Sequence, residues 1–132
     1  MSLLTIEDLT VEFPGGETPV RVIENVSLEV GKGEFVGLVG ESGSGKTMTA
    51  LSIMRLVPNP GKISTGRISF AGEELLTKSD AEMRKVRGAR IGMIFQEPMT
   101  ALNPVFTIGF QIVEALRVHR TLSKAEARKE AV

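Results

Sequence analysis

Apolar and polar residues alternate along two stretches near the start of the chain, residues 3–13 and 20–30. A two-residue period of this kind is typical of strands that bury one face. The link between them, residues 14–19, contains proline and glycine at several positions, which favours a tight reversal of the backbone. The pattern therefore predicts an antiparallel β-hairpin.

Two shorter segments, residues 35–39 and 91–95, are apolar at nearly every position. Runs of this length and composition are typical of strands that are buried on both faces in a parallel sheet. We expect both segments to be such core strands. A further strand is predicted at residues 66–71.

Helical spacing of apolar residues begins at Lys46. Residues 46–57 carry apolar side chains around most of a helix circumference, which predicts a helix buried on nearly all sides and stopped by Pro58. Residues 79–87 read as a short basic helix whose cap is either Ser79 or Asp80.

Two more helices are predicted near the end of the chain. The pattern at residues 123–126 is a capping box, and the helix that it opens reaches Val132 without a glycine or another breaker. We therefore expect the chain to end inside an element, as a fragment would. The earlier helix, residues 107–119, is amphipathic, with one apolar face formed by Ile108, Ile112, Ala115 and Leu116.

A phosphate-binding motif separates the first apolar segment from the first helix. Its glycines let the backbone approach phosphates closely, and its N–H groups together with the helix N-terminus attract anions. Lys46 would place its charge on the β- and γ-phosphates, and the Thr47 hydroxyl would ligate Mg²⁺. A chance match has a probability below roughly 1 in 100. The loop comprises Gly40, Glu41, Ser42, Gly43, Ser44, Gly45, Lys46 and Thr47. This motif predicts a nucleotide site, for ATP with Mg²⁺.

A carboxylate for hydrolysis is harder to place. Such an acid normally ends a buried strand, and neither Asp8 nor Asp80 follows one after the loop. Gln96 follows the segment 91–95 and could bind Mg²⁺, orient a water molecule, or simply form a hydrogen bond at the strand end. Glu97 could be proposed as the missing acid, but its place one residue into the loop, after Gln96, disfavours that role.

Other residues invite functional interpretations that the sequence does not favour. Phe13, at the end of the first strand, reads on its own as a core residue. His119 lies near a helix end, where a solvated side chain is expected. A basic cluster is better read as a solvated helix face, because acidic neighbours accompany it. The cluster consists of Arg84, Lys85, Arg87 and Arg90.

Composition limits the class of protein. The 132 residues are 42% hydrophobic and 24% charged, as in a soluble globular protein, and 16 basic residues balance 16 acidic ones. A neutral chain has no general attraction for nucleic acid, so we expect no nucleic-acid partner. There is no cysteine, no signal-peptide pattern and no apolar run that could span a bilayer. If this protein acts at a membrane, another chain must span it.

These motifs, in this order, resemble the ATP-binding subunits of ABC transporters. Two long stretches, residues 40–56 and residues 96–104 followed by Thr107, Ile108 and Gly109, are similar to the oligopeptide, dipeptide and nickel importer branch of that family. The resemblance covers essentially the whole chain. It implies an α/β fold, an incomplete P-loop NTPase core of the ABC ATPase type. In that fold, residues 1–33 form an N-terminal antiparallel β layer, residues 34–96 a portion of the P-loop core, and residues 97–132 the Q-loop and the start of a helical subdomain.

The resemblance also assigns roles to individual residues. Phe13 would stack on adenine, with Val20 packing nearby. Gln96 would be the Q-loop glutamine, in contact with Mg²⁺ and the attacking water. Met48 stands where many members of the family have Ser or Thr, so one side-chain donor to phosphate is replaced. The resemblance gives a catalytic role to Lys46 and Gln96.

As a function, the resemblance implies ATP binding and hydrolysis that power uptake of peptides or a related small solute. The partners would be two membrane-spanning permease subunits, a second ABC ATPase subunit and, indirectly, an extracytoplasmic solute-binding protein, at the cytoplasmic face of the cell membrane. The alternative is a non-transport ABC ATPase of DNA repair or translation, against which residues 96–104 argue. The family's signature loop, Walker B aspartate, catalytic glutamate and switch histidine do not occur in these residues. We therefore expect this chain alone to bind nucleotide without hydrolysing it.

Overall fold

The computed structural model describes residues 1–132, which divide into two compact units, Met1–Met83 and Arg84–Val132. The strands are β1 (Ser2–Phe13), β2 (Val20–Gly31), β3 (Lys62–Phe70) and β4 (Glu73–Glu74). The helices are α1 (Lys46–Ile53), α2 (Asp80–Val86), α3 (Ile108–His119) and α4 (Lys124–Glu130), with a 3-10 turn at Pro98–Ala101. No helix is long and apolar enough to cross a membrane.

All four strands form one antiparallel sheet in the order β2-β1-β3-β4. The predicted hairpin is confirmed, since Phe13 pairs with Val20 at its closed end and Ser2 with Gly31 at the other. β3 begins earlier than predicted because residues 62–65 extend the ladder with β1. The buried apolar residues of the sheet are Ile6, Leu9, Val11, Ile23 and Ile68.

A bulge explains why the alternation in β1 is imperfect. Asp8 has a φ of +47°, and the pairing with β2 shifts between Ile6 and Leu9. This extra residue turns Ile6 and Leu9 to the same buried face although they are three positions apart. Gly66 of β3 lies against this bulge. A Cβ on Gly66 would lie 2.6 Å from the Cα of Leu9, so only glycine fits.

The prediction that residues 35–39 and 91–95 form parallel core strands is wrong. Residues 35–39 form no ladder, and 91–95 contribute only one isolated bridge, between Arg87 and Ile91. Most of their apolar side chains are exposed, with Phe35 at 101% and Ile94 at 91%. A strand requires a neighbour for its N–H and C=O groups, and no adjacent strand in these residues supplies one.

The helix after the phosphate motif is shorter and less buried than predicted. α1 ends at Ile53, before the turn that contains Pro58, because the chain adopts a left-handed conformation at Arg55. Thr49, Ser52 and Met54 are buried, whereas the other positions are half-buried or exposed. The prediction of a helix to residue 57, buried on nearly all sides, is therefore wrong.

Ser79, rather than Asp80, caps α2. The Ser79 hydroxyl accepts a hydrogen bond from the Glu82 N–H at 3.3 Å, and the Glu82 carboxylate accepts one from the Ser79 N–H at 2.7 Å. These two bonds form a reciprocal capping box. The helix spans residues 80–86, close to its predicted limits.

α3 has its predicted position, with Thr107 as its N-cap. Its predicted apolar face is not covered, since Val113 is the only buried residue of the helix and Ile108 is 61% exposed. The capping box of Ser123 and Glu126 at the start of α4 is confirmed.

α4 is only seven residues long, so it covers little of α3. It ends at Glu130, with Ala131 as its C-cap, so the predicted continuation to Val132 is wrong. The basic cluster is largely solvated as predicted, with Arg84, Lys85 and Arg90 exposed.

Candidate functional site

The phosphate motif forms an exposed loop that turns sharply into α1. Gly43 and Gly45 adopt φ values of +81° and +92°, which side chains disfavour. The Ser44 N–H donates to the Glu41 carbonyl oxygen at 3.1 Å and closes the turn. A Cβ on Gly45 would lie 3.1 Å from the Val22 carbonyl oxygen, so glycine allows the loop to approach β2.

Lys46 folds back over this loop. Its Nζ donates to the carbonyl oxygens of Gly40 at 2.6 Å and Glu41 at 2.7 Å, and to the Ser44 Oγ at 3.1 Å. The ammonium group has three donors, so each is matched by an oxygen of the loop itself. The charge is thereby held beside the loop backbone, where an anion could exchange for these weaker, neutral acceptors.

The N-terminus of α1 is open. Gly45 is the N-cap residue and provides no side-chain acceptor, and the first turn contains no acidic residue. The first N–H groups of a helix lack partners within the helix, so here they remain available to an anion. Thr47 is exposed at this end of the helix, and Met48 is half-buried. Lys46, Thr47 and the open helix end thus lie together.

Phe13 and Val20 are direct cross-strand partners at the closed end of the hairpin. Phe13 is half-buried and Val20 is 56% exposed. One side of the ring is occupied, since a Cβ on Gly61 would lie 2.4 Å from the Phe13 Cζ. Gly61 is a residue that sequence reasoning missed as a partner of Phe13, because it read only as part of a turn.

Gln96 and Glu97 lie in the second unit, on an exposed stretch that no strand precedes. Glu97 is the N-cap residue of the 3-10 turn, and its carbonyl oxygen accepts from the Thr100 hydroxyl at 2.8 Å. Asp8 lies in the β1 bulge and Asp80 opens α2. No group of three or more His, Cys, Asp or Glu side chains is placed to hold a metal ion.

His119 is exposed near the end of α3, as the sequence predicts. The edge of its ring lies against Gly88, where a Cβ would come within 2.6 Å of Nε2. This is a packing contact with a residue that has no side chain, and it assigns no chemistry to the imidazole.

Comparison with known proteins shows which family this chain is similar to. The family model described as "ABC transporter" matches residues 23–131. A probable D,D-dipeptide transport ATP-binding protein of Escherichia coli K12 is 49% identical over 131 residues, which cover 98% of this chain and 40% of that protein. The oligopeptide transport ATP-binding protein of Bacillus subtilis is 48% identical over 133 residues, covering 98% of this chain and 37% of that protein.

Among solved structures, an ATP-binding cassette described as a dimer in a post-hydrolysis state bound to ADP and Pi superposes with a TM-score of 0.83. It is 28% identical and is matched over 97% of this chain and 53% of its own length. The chain thus spans about 40% of the length of the curated relatives named above. The family match covers most of these residues, and the antiparallel layer, loop and helices agree with a solved cassette; the chain belongs to the ABC transporter family.

Proposed function

We propose that this chain binds Mg-ATP at residues 40–48 and is the nucleotide-binding part of an ATPase subunit that powers peptide uptake by an ABC importer. The observation that carries the proposal is the combination of Lys46, on loop oxygens, with the uncapped N-terminus of α1. Positive charge and unpaired N–H groups at one loop are the chemistry that phosphates require.

The residues present fit a triphosphate better than they fit an isolated metal ion. The donors of Gly40, Glu41, Ser42, Gly43, Ser44, Gly45, Lys46, Thr47 and Met48 would surround the phosphates. Thr47 contributes one exposed hydroxyl to Mg²⁺, with Gln96 as the second proposed ligand, and phosphate oxygens and water would complete the coordination. When bound, Mg²⁺ neutralises phosphate charge.

Phe13 and Val20 would hold the adenine. The ring of Phe13 packs on Gly61 on one side, and the exposed Val20 lies beside it. Aromatic rings stack on adenine through dispersion and their π-systems. Gln96 would orient the attacking water, which makes it, with Lys46, a residue of the hydrolytic step in the whole protein. We assign residues 1–33 to the β layer, 34–96 to the P-loop core and 97–132 to the Q-loop and the start of the helical subdomain.

The relatives named for dipeptide and oligopeptide transport support the peptide-uptake role over a role in DNA repair or translation. In this proposal the whole protein lies at the cytoplasmic face of the membrane and contacts two permease subunits. It also pairs with a second ATPase subunit and serves an extracytoplasmic solute-binding protein indirectly.

Calorimetric titration of the chain with Mg-ATP tests the nucleotide site. Lys46→Ala should weaken binding by about 1.5–3 kcal/mol, because it removes a charge-assisted hydrogen bond to phosphate. Lys32→Ala is the matched control, since Lys32 is an exposed lysine in the turn after β2. Equal affinities for Lys46→Ala, Lys32→Ala and the unmodified chain would contradict the phosphate role of Lys46.

A further inference from the structure

α1 ends on an arginine in a backbone conformation that favours glycine. Arg55 has a φ of +51°, where the Cβ of an L-residue crowds the backbone. Its N–H donates to the Ser52 carbonyl oxygen at 3.0 Å, and the Leu56 N–H donates to the Leu51 carbonyl oxygen at 2.8 Å. Bonds of this kind close a helix at a left-handed residue. Glycine would make the same backbone bonds with less strain, so the arginine side chain must contribute something else.

The guanidinium of Arg55 binds the segment that connects β4 to α2, residues 75–80. Nη1 donates to the Leu75 carbonyl oxygen at 3.4 Å and to the Lys78 carbonyl oxygen. Nη2 lies 3.7 Å from the Asp80 Oδ1, at the start of α2. The Arg55 side chain is only 24% exposed, so these interactions are partly shielded from water.

This segment is itself firmly held. Leu75 is fully buried, and its N–H donates to the Ile68 carbonyl oxygen of β3 at 2.8 Å. Lys78 pairs with Glu73 of β4 at 2.5 Å. Arg55 therefore connects the C-terminal end of α1 to a part of the unit that is anchored in the sheet.

We propose that Arg55 is a positioning residue that fixes α1, and through it Lys46 and Thr47, in the geometry that binds nucleotide. The inference rests on the proposed function, because it concerns the same loop. α1 is two turns long, about 12 Å from end to end, and behaves as a short rod. Releasing its C-terminal end allows its N-terminal end to move, and the phosphate donors lie at that end.

Thermal denaturation distinguishes the stabilisation by the Arg55 side chain from the strain of its left-handed backbone. Ala71 is a matched control, since it also has a positive φ, of +50°, and it is exposed. Ala71→Gly should raise Tm by about 4 °C, because glycine relieves the left-handed strain. Arg55→Gly relieves the same strain but removes the guanidinium, so we expect no rise in Tm.

The affinity for Mg-ATP distinguishes a positioning role of Arg55 from a purely structural role. Arg55→Gly should weaken Mg-ATP binding by about 2- to 30-fold, and Arg55→Lys, which retains the charge but not the planar fork, should restore part of the loss. Mg-ATP should slow amide hydrogen exchange in residues 75–80 of the unmodified chain, and Arg55→Gly should abolish that response.

An Arg55→Gly chain that gains as much Tm as Ala71→Gly, or that binds Mg-ATP as the unmodified chain does, would overturn the positioning role. Failure of the unmodified chain to bind Mg-ATP would instead overturn the proposed function, and the positioning role with it. The two failures are distinguishable because only the first leaves binding by the unmodified chain intact.

Discussion

At the scale of single residues, two side chains of the proposed site, Lys46 and Phe13, would bind different parts of the nucleotide. Lys46 holds its charge against the backbone oxygens of Gly40 and Glu41. Phe13 presents a half-buried ring at the end of the hairpin, next to the exposed Val20. In the proposed function Lys46 binds phosphate and Phe13 stacks on the adenine base. Their contributions to the binding free energy can therefore be measured separately.

Phe13→Ala should weaken the binding of adenine nucleotides while leaving inorganic triphosphate binding almost unchanged. Loss of stacking costs on the order of 1 kcal/mol, whereas the triphosphate has no ring to lose. Calorimetry with Mg-ATP and with magnesium triphosphate makes the comparison. Equal weakening of both ligands would show that Phe13 acts only through its packing on Gly61.

At the scale of elements, capping decides where the short helices begin. Both α2 and α4 open with a serine whose hydroxyl accepts from the N–H three residues later, with a glutamate that returns the bond. α4 has only seven residues. A helix this short is marginal by itself, so its cap supplies a large share of its stability.

Ser123→Ala should reduce the stability of α4 by about 1 kcal/mol, because the Glu126 N–H loses its acceptor. Amide hydrogen exchange across residues 124–130 measures the effect. Thr121→Ala is the control, since Thr121 is an exposed residue before the cap. Equal exchange rates in the two variants would contradict the capping role.

The same box makes α4 sensitive to acid. Hydrogen bonds from the Ser123 hydroxyl, which has the larger effect, and from the Ser123 backbone N–H hold the pKa of Glu126 below its ordinary value of 4.5. A depressed carboxyl pKa means that the stabilisation is fully present above that ordinary value and is lost as pH falls through the lower, folded-state pKa. An NMR titration of Glu126 should therefore give a lower pKa in the unmodified chain than in Ser123→Ala. The same pKa in both would contradict the role of the serine.

At the scale of the whole molecule, the chain exposes much apolar surface. Segments 35–39 and 91–95 leave large side chains in water, and so do the residues around α3. Exposed patches of this kind favour association. The most exposed large apolar side chains inside the chain are Phe35, Val39, Ile94, Met99, Val105 and Val118.

The isolated chain should bind Mg-ATP and show no turnover above background. Lys46, Thr47 and Gln96 are present, but no carboxylate ends a buried apolar strand after the loop. At a ligand concentration 100 times Kd, binding should stabilise the chain by about 2.7 kcal/mol. Thermal denaturation and a phosphate-release assay measure the two outcomes, with sedimentation to monitor association. Phosphate release that Lys46→Ala abolishes would show that Glu97 or another group completes a working site.

Features that depend on contacts between neighbouring residues could be predicted from the sequence. The hairpin of β1 and β2 was predictable because alternation and a turn-rich link suffice to specify it. The start of α1 and the capping box of α4 were predictable because each is a contact within a few residues. The family, too, was predictable from short motifs, and the family match confirms it.

The burial of individual apolar residues could not be predicted from the sequence, because it depends on tertiary contacts. Residues 35–39 and 91–95 have the composition of core strands, yet a strand depends on a partner that composition cannot supply. The packing of Phe13 on Gly61 and the binding of Arg55 to residues 75–80 join positions far apart in the chain. Such contacts follow from how the elements fold together, because local patterns carry no information about which distant backbone atoms will meet.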